Sequence, residues 1–198
     1  MITKFNISSA PAVEPLSTSE TKTFLKVDSS DEDTLIDTLI KASRQLIERE
    51  YDVALITQTL DFKFDDFPII EHCNPDGAII PLVRPIQSVT YIKYNDTDGN
   101  EQTWSSSLYT VDADDQREQA RIVPAYDEEY PETRIEINAV TVRAVCGYGD
   151  AATDIPENIR LAMLMQIAFW YENREDMPLK MMGRTTRQLL NNEFLKVI

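Results

Sequence analysis

The sequence predicts an α+β fold built on an antiparallel sheet, and three observations predict it. Apolar residues recur at helical spacing toward both ends of the chain. Through the middle they alternate with polar residues, the period of half-buried strands. The alternating segments are joined by short, turn-rich links that leave no room for the crossover helices a parallel sheet needs. With 198 residues the chain can bury a real core, as one generous domain or two small ones.

Residues 1–15 end in "SSAPAVEP" and read as an extended arm, because prolines and small polar residues offer little to bury. A short helix is expected over about 17–26, where Ser17 and Glu20 have capping-box spacing. A longer helix is expected over about 31–51. Asp31, Glu32 and Asp33 load its first turn with the negative charge that the helix dipole favours. Leu35, Ile36, Leu39, Ile40, Leu46 and Ile47 mark its apolar face.

The β region covers about 56–147. Leu60, Phe62 and Phe64 alternate with Asp61, Lys63 and Asp65, and "SVTYIKYNDTDGNEQTW" reads as two strands about a turn at Asp98–Gly99. Further strands are expected at Tyr109–Val111, Arg121–Val123 and Ala139–Val145. A helix over about 156–173 follows, with Asp154 expected as its N-cap, Pro156 in the first turn and Glu157 at the box position. Residues 177–198 form a basic tail with a short amphipathic helix, where Leu190, Phe194 and Val197 share a stripe with Ile198 alongside.

The formal charge of −15 disfavours gripping nucleic acid or an anionic membrane. The charge is also uneven. From Met177 onward there are four bases and one acid, net +3, whereas the first 176 residues hold 15 bases and 33 acids, net −18. A basic tail on an acidic body is expected to dock on an acidic surface, its own or a partner's. Cys73 and Cys146 lack metal or redox spacing and read as small buried hydrophobes of a chain made in the cytoplasm. "MITKFNISS" has no apolar centre of a signal peptide, and no apolar run is long enough to span a bilayer.

Motifs for catalysis are weak. "NDTDGNE" falls short of a calcium loop, since Tyr94 stands where an oxygen ligand is needed and the distal glutamate is missing. "DADDQRE", Asp112 to Glu118, reads as a solvated loop. His72 and Cys73 are adjacent and, in extended chain, point to opposite faces, a poor nucleophile–base pair. There is no glycine-rich phosphate loop, and no catalytic residue, cofactor or metal is expected. A carboxylate pair for hydrolysis remains open among 34 acids.

The stronger signal is apolar. In "RLAMLMQIAFWYEN", Ile159, Met163, Ile167 and Trp170 form one stripe, while Leu161, Leu164, Met165, Ala168, Phe169 and Tyr171 cover much of the rest. Such a helix must be enclosed, either by its own chain or by its core on one side and a neighbouring subunit on the other. The aromatic and methionine content leans toward an interface, with Phe169, Trp170 and Tyr171 as candidate subunit-contact residues.

Several segments in order resemble the head–tail connector (adaptor) proteins of long-tailed bacteriophages. They are "EPLSTSETKTFLKVD", "DEDTLIDTLIKASRQLIEREYDVALITQT", "LVRPIQSVTYIKYNDTDG", "YTVD", "ARIVPAY", "VTVRAVCGYGD" and "IPENIRLAMLMQIAFWYENRE", spanning about Glu14 to Glu175. The resemblance implies a connector domain over 16–176, a helical bundle with the β region inserted between its long helix and its penultimate helix. It implies a structural, non-enzymatic protein of the virion neck, in a ring, commonly of twelve copies, beneath the portal protein. The ring would receive a downstream neck or tail protein and let DNA pass without specific binding.

The family's C-terminal segment tends to contact the portal, which makes Arg184, Arg187, Leu190 and Phe194 the candidate docking residues. On that reading, removal of the chain after Met177 should leave a folded protein that no longer binds portal. Another neck protein, a stopper or tail-completion protein, is the nearer alternative, and a small hydrolase with an acidic site the more distant one.

Overall fold

The computed structural model describes residues 4–68, 77–113, 119–173 and 182–194. His72, Cys73, the acids of 114–118, Arg174 to Asp176, Val197 and Ile198 lie outside the described residues. In chain order the elements are β1 (Lys4–Ser9), α1 (Thr18–Leu25), α2 (Asp33–Tyr51), β2 (Gln58–Phe64), β3 (Ile86–Asn95), β4 (Glu101–Trp104), β5 (Tyr109–Asp112), β6 (Arg121–Pro124), β7 (Val140–Cys146), α3 (Glu157–Glu172) and α4 (Arg184–Phe194). They form two compact units: Met1–Ala10 with Thr57–Gly147, and Pro11–Ile56 with Tyr148–Ile198.

The first unit holds an antiparallel sheet of order β1-β2-β7-β3-β4 and a separate β5-β6 ribbon. Alternation decides its faces. Residues at every second position of β2 are buried (Gln58, Leu60, Phe62, Phe64), and Val140, Val142, Ala144 and Cys146 of β7 behave likewise. One row crosses all five strands, Phe5–Phe62–Val142–Ile92–Trp104, each residue the register partner of the next. The opposite face is polar. Asp61 accepts two hydrogen bonds from Arg143, at 2.6 and 2.7 Å, and the Arg143 guanidinium lies 5.0 Å from the centre of the Tyr91 ring. The Arg143 hydrogen bond holds the Asp61 carboxyl below its ordinary range.

Two features differ from the sequence expectation. The first 15 residues are not all free arm: Lys4–Ser9 joins the sheet as β1, although all six residues stay exposed. Asp154 does not cap α3. It ends a single 3-10 turn, Ala152–Asp154, and its carboxylate accepts the Ala151 N–H at 2.9 Å. Pro156 occupies the cap position of α3 and makes no side-chain cap bond there, since its ring carries no acceptor.

In the second unit α1, α2, α3 and α4 pack around one core. Ile36, Leu39, Ile40, Leu46 and Ile47 of α2 meet Ile159, Met163, Ile167 and Trp170 of α3, with Leu190 and Phe194 of α4 completing the cluster. At the start of α1 the Ser17 hydroxyl accepts the Glu20 N–H at 3.1 Å, satisfying a backbone donor the helix itself cannot pair. Lys22 of α1 reaches Asp33, the first residue of α2, at 2.7 Å.

Candidate functional site

The aromatic end of α3 and the whole of α4 bring the candidate residues together in the helical unit. Trp170 is 1% exposed within its own chain, and its indole N–H has no partner among the described residues, so packing alone holds the ring. Phe169 and Tyr171 are half-buried. The Tyr171 hydroxyl donates to the Glu32 carboxylate ahead of α2, which pins the end of α3 to the start of α2. Leu161 is exposed, and Leu164, Met165 and Ala168 are half-buried, so α3 has one fully enclosed face and a second that is covered only in part.

Leu190 and Phe194 face inward, fully buried in the core of their own unit. The Phe194 ring lies 4.9 Å from that of Tyr51, whose hydroxyl donates to Asn191 Oδ1 at 2.9 Å. Burial pushes the Tyr51 phenol up, which keeps it a donor in that bond. Gln166, the one polar residue inside the apolar run of α3, is enclosed, and its carbonyl accepts the Gly183 N–H ahead of α4 at 3.1 Å. The outward face of α4 presents Arg184 and Arg187. Because α4 supplies core, removing residues after Met177 would strip Met182, Leu190 and Phe194 from the cluster. A folded truncation is therefore not the expected product.

A buried ion network sits on α2. Arg44 donates to Glu14 at 2.8 Å and to Glu48 at 2.7 Å, and Glu48 also accepts the Leu55 N–H at 3.1 Å. Burial pushes the Glu48 carboxyl above its ordinary range, with Arg44 pulling the other way. This network fixes the chain on either side of α2.

Among the described residues no arrangement for covalent chemistry emerges. Burial pushes the Cys146 thiol up to about 12, so it stays protonated and inert. Asp96 is spent on its own turn, accepting the backbone N–H groups of Asp98 and Asn100 and the Gln102 amide, and Gly99 takes the left-handed conformation with φ +86°. An open depression of about 640 Å³ beside α1 has Lys22 and Asp33 in its wall, already paired to each other. Among the described residues no three histidine, cysteine, aspartate or glutamate side chains gather as a metal site.

Outside the helical unit, sequence reasoning passed over the two ends of the sheet. Phe5 and Ile7 pair with Phe62 and Leu60 and therefore share their face, yet they are 39% and 59% exposed. The signal available was the single alternation Phe5–Ile7 in "KFNISS".

No family profile matches the chain, and no curated protein matches it. Solved structures do. A chain in the neck of an empty gene transfer agent particle, computed with C6 symmetry, aligns over 98% of this chain and 97% of its own, with a TM-score of 0.73 and 20% identity. The fold is that of a neck chain. A chain of the native gene transfer agent virion aligns over 96% and 94%, with a TM-score of 0.72 and 18% identity. A third, from the native neck computed with C12 symmetry, aligns over 94% of both chains with a TM-score of 0.62 and 17% identity. These likenesses extend from end to end of the chain, so both units are part of the shared fold.

Proposed function

We propose that this protein is a structural component of a phage-like virion neck, a head–tail connector that forms a ring beneath the portal and joins the capsid to the next neck or tail protein. The observation that carries the reading is the end-to-end likeness in fold to a chain of a particle neck, over 98% of this chain and 97% of that one. The necks compared were computed with C6 and C12 symmetry, which fits a ring of this protein. The ordered segments that resemble connector proteins point the same way, as does a net charge of −15, which lets DNA pass without sticking. On this reading the bundle-with-insertion plan of the connectors corresponds to the helical unit and the sheet unit.

The partly covered face of α3, with Phe169 and Tyr171, is the proposed seam between subunits; Trp170 anchors that face from inside. The arginines of α4, Arg184 and Arg187, are the proposed portal contact, with Leu190 and Phe194 holding their helix in place. The test is co-sedimentation with assembled portal, followed by imaging. Arg184→Glu with Arg187→Glu should abolish binding while the free energy of unfolding changes by no more than about 0.5 kcal/mol per substitution, as expected for exposed positions. Undiminished portal binding by that variant sinks the docking assignment. Capture of tail but never portal would make the protein a stopper or tail-completion protein instead.

A further inference from the structure

We propose that the sheet unit continues from copy to copy, the open edge of β1 in one subunit pairing in parallel with the open edge of β4 in the next. The inference rests on the ring reading and specifies its lateral joint.

Among the described residues β1 pairs only with β2, and β4 only with β3. All six residues of β1 and the first three of β4 are exposed, so each edge offers a row of backbone donors and acceptors to solvent. An edge of this kind is a template for another strand. A cyclic ring needs two different surfaces that fit each other, and the two ends of one sheet are such a pair.

Direction and register follow from the topology. Four antiparallel pairings separate β1 from β4, so the two strands run the same way. Neighbours in a large ring are related by a small rotation, which keeps strand sense and makes the joint parallel. Side-chain alternation then allows only registers that keep faces matched. Phe5 and Trp104 end the same apolar row on the same face, and Lys4 and Thr103 end the adjoining row on the other. Setting Lys4 beside Glu101 meets that condition and brings a second cation to a carboxylate that pairs with Lys93 of its own subunit at 2.6 Å and is still largely exposed. Lys4 is the only charged residue of β1, and Glu101 the only one of β4. Phe5 then lies beside Gln102, Asn6 beside Thr103 and Ile7 beside Trp104. Phe5 and Ile7, left on the apolar face with too little cover, then lie against the neighbour's Gln102 and the rim of its enclosed Trp104.

The test uses the full-length chain with Asn6→Cys and Thr103→Cys in a Cys73→Ala, Cys146→Ala background. Within one copy the two positions are separated by three strands, about 19 Å at ordinary strand spacing, and no disulfide can span that. The protein is concentrated alone and mixed with the portal of its particle, rings are scored by electron microscopy, and the sample is oxidised and run without reductant. The expected result is rings and a ladder of covalent dimers, trimers and higher species. A mixture of the two single variants should stop at the dimer. Adding Lys4→Glu sets a carboxylate against Glu101 and should cut the cross-linked fraction several-fold, and adding Glu101→Gln to that should restore it, since the repulsion is gone and Lys93 is released from its pair to meet the new carboxylate. Rings that stay wholly monomeric on the gel overturn the edge joint and leave the ring reading intact. Absence of both rings and cross-links under either condition overturns the ring reading and the joint with it.

Discussion

The helical unit and the sheet unit bury their apolar residues in different ways. In the helical unit α4 turns Leu190 and Phe194 inward, so that Trp170 and its neighbours are enclosed by their own chain. In the sheet unit the apolar row that crosses five strands stays closed from Phe62 to Trp104 and then opens at Phe5. The first arrangement closes its core within one subunit and leaves only the outer face of α3 partly covered. The second ends in an apolar overhang beside unpaired backbone. The difference teaches that surplus apolar surface is not where composition alone would place it. The most apolar helix is largely satisfied, and an unassuming six-residue arm is not.

Three substitutions sharpen this contrast, beginning with the largest effect. Trp170→Ala should cost about 3–5 kcal/mol in chemical denaturation, because a large enclosed ring leaves a cavity that the surrounding helices fill only in part. A loss under about 1 kcal/mol would mean that the core is not closed there. Arg44→Ala should cost about 2–3 kcal/mol, since it strands the enclosed Glu48 carboxylate.

That second loss has a pH sign. Burial already raises the Glu48 carboxyl in the folded state, and without Arg44 it rises further. A raised folded value means the proton is held more tightly in the fold, so the group's contribution is fully present below its unfolded value and is lost as pH rises through the folded one. The deficit of the variant against the parent should therefore shrink from pH 8 to pH 5 in parallel urea titrations. At the sheet edge, Phe5→Ala should cost only about 1 kcal/mol or less in the isolated subunit, because the ring is already partly in water.

What could be read from the sequence was local. The Ser17–Glu20 spacing needs only one helical turn to act, and Ser17 does accept the Glu20 N–H. The alternation in β2 and β7 needs only the pleat, and the Asp98–Gly99 turn only its own dihedral angles. What could not be read depends on partners distant in the chain. β1 exists because Lys4–Ser9 finds partners in β2 about fifty to sixty residues later, and six exposed residues carry almost no burial pattern to announce it.

The candidate site shows the same division. Arg184 and Arg187 could be recognised as the basic face of an amphipathic helix. Whether Leu190 and Phe194 face a partner or their own core depends on α3, and periodicity is silent about that. In the sequence Gln166 is only a polar break in an apolar run. Its role as acceptor for Gly183 appears only once the chain has returned. Asp154 has the composition of a cap for α3, but the chain spends its carboxylate on a tighter turn just before the helix.

The way the chain threads between its two units bears on its synthesis. The helical unit takes residues from both sides of the sheet unit, and its core closes only with α4, beyond residue 183. A growing chain can complete its sheet while α1 and α2 still wait for their partners. Any product cut short before α4 keeps Tyr51 and the apolar face of α3 bare, a target for chaperones and proteases rather than a building block. Placing α4 in the core thus acts as proofreading by length: only a chain synthesised past α4 can close the helical core.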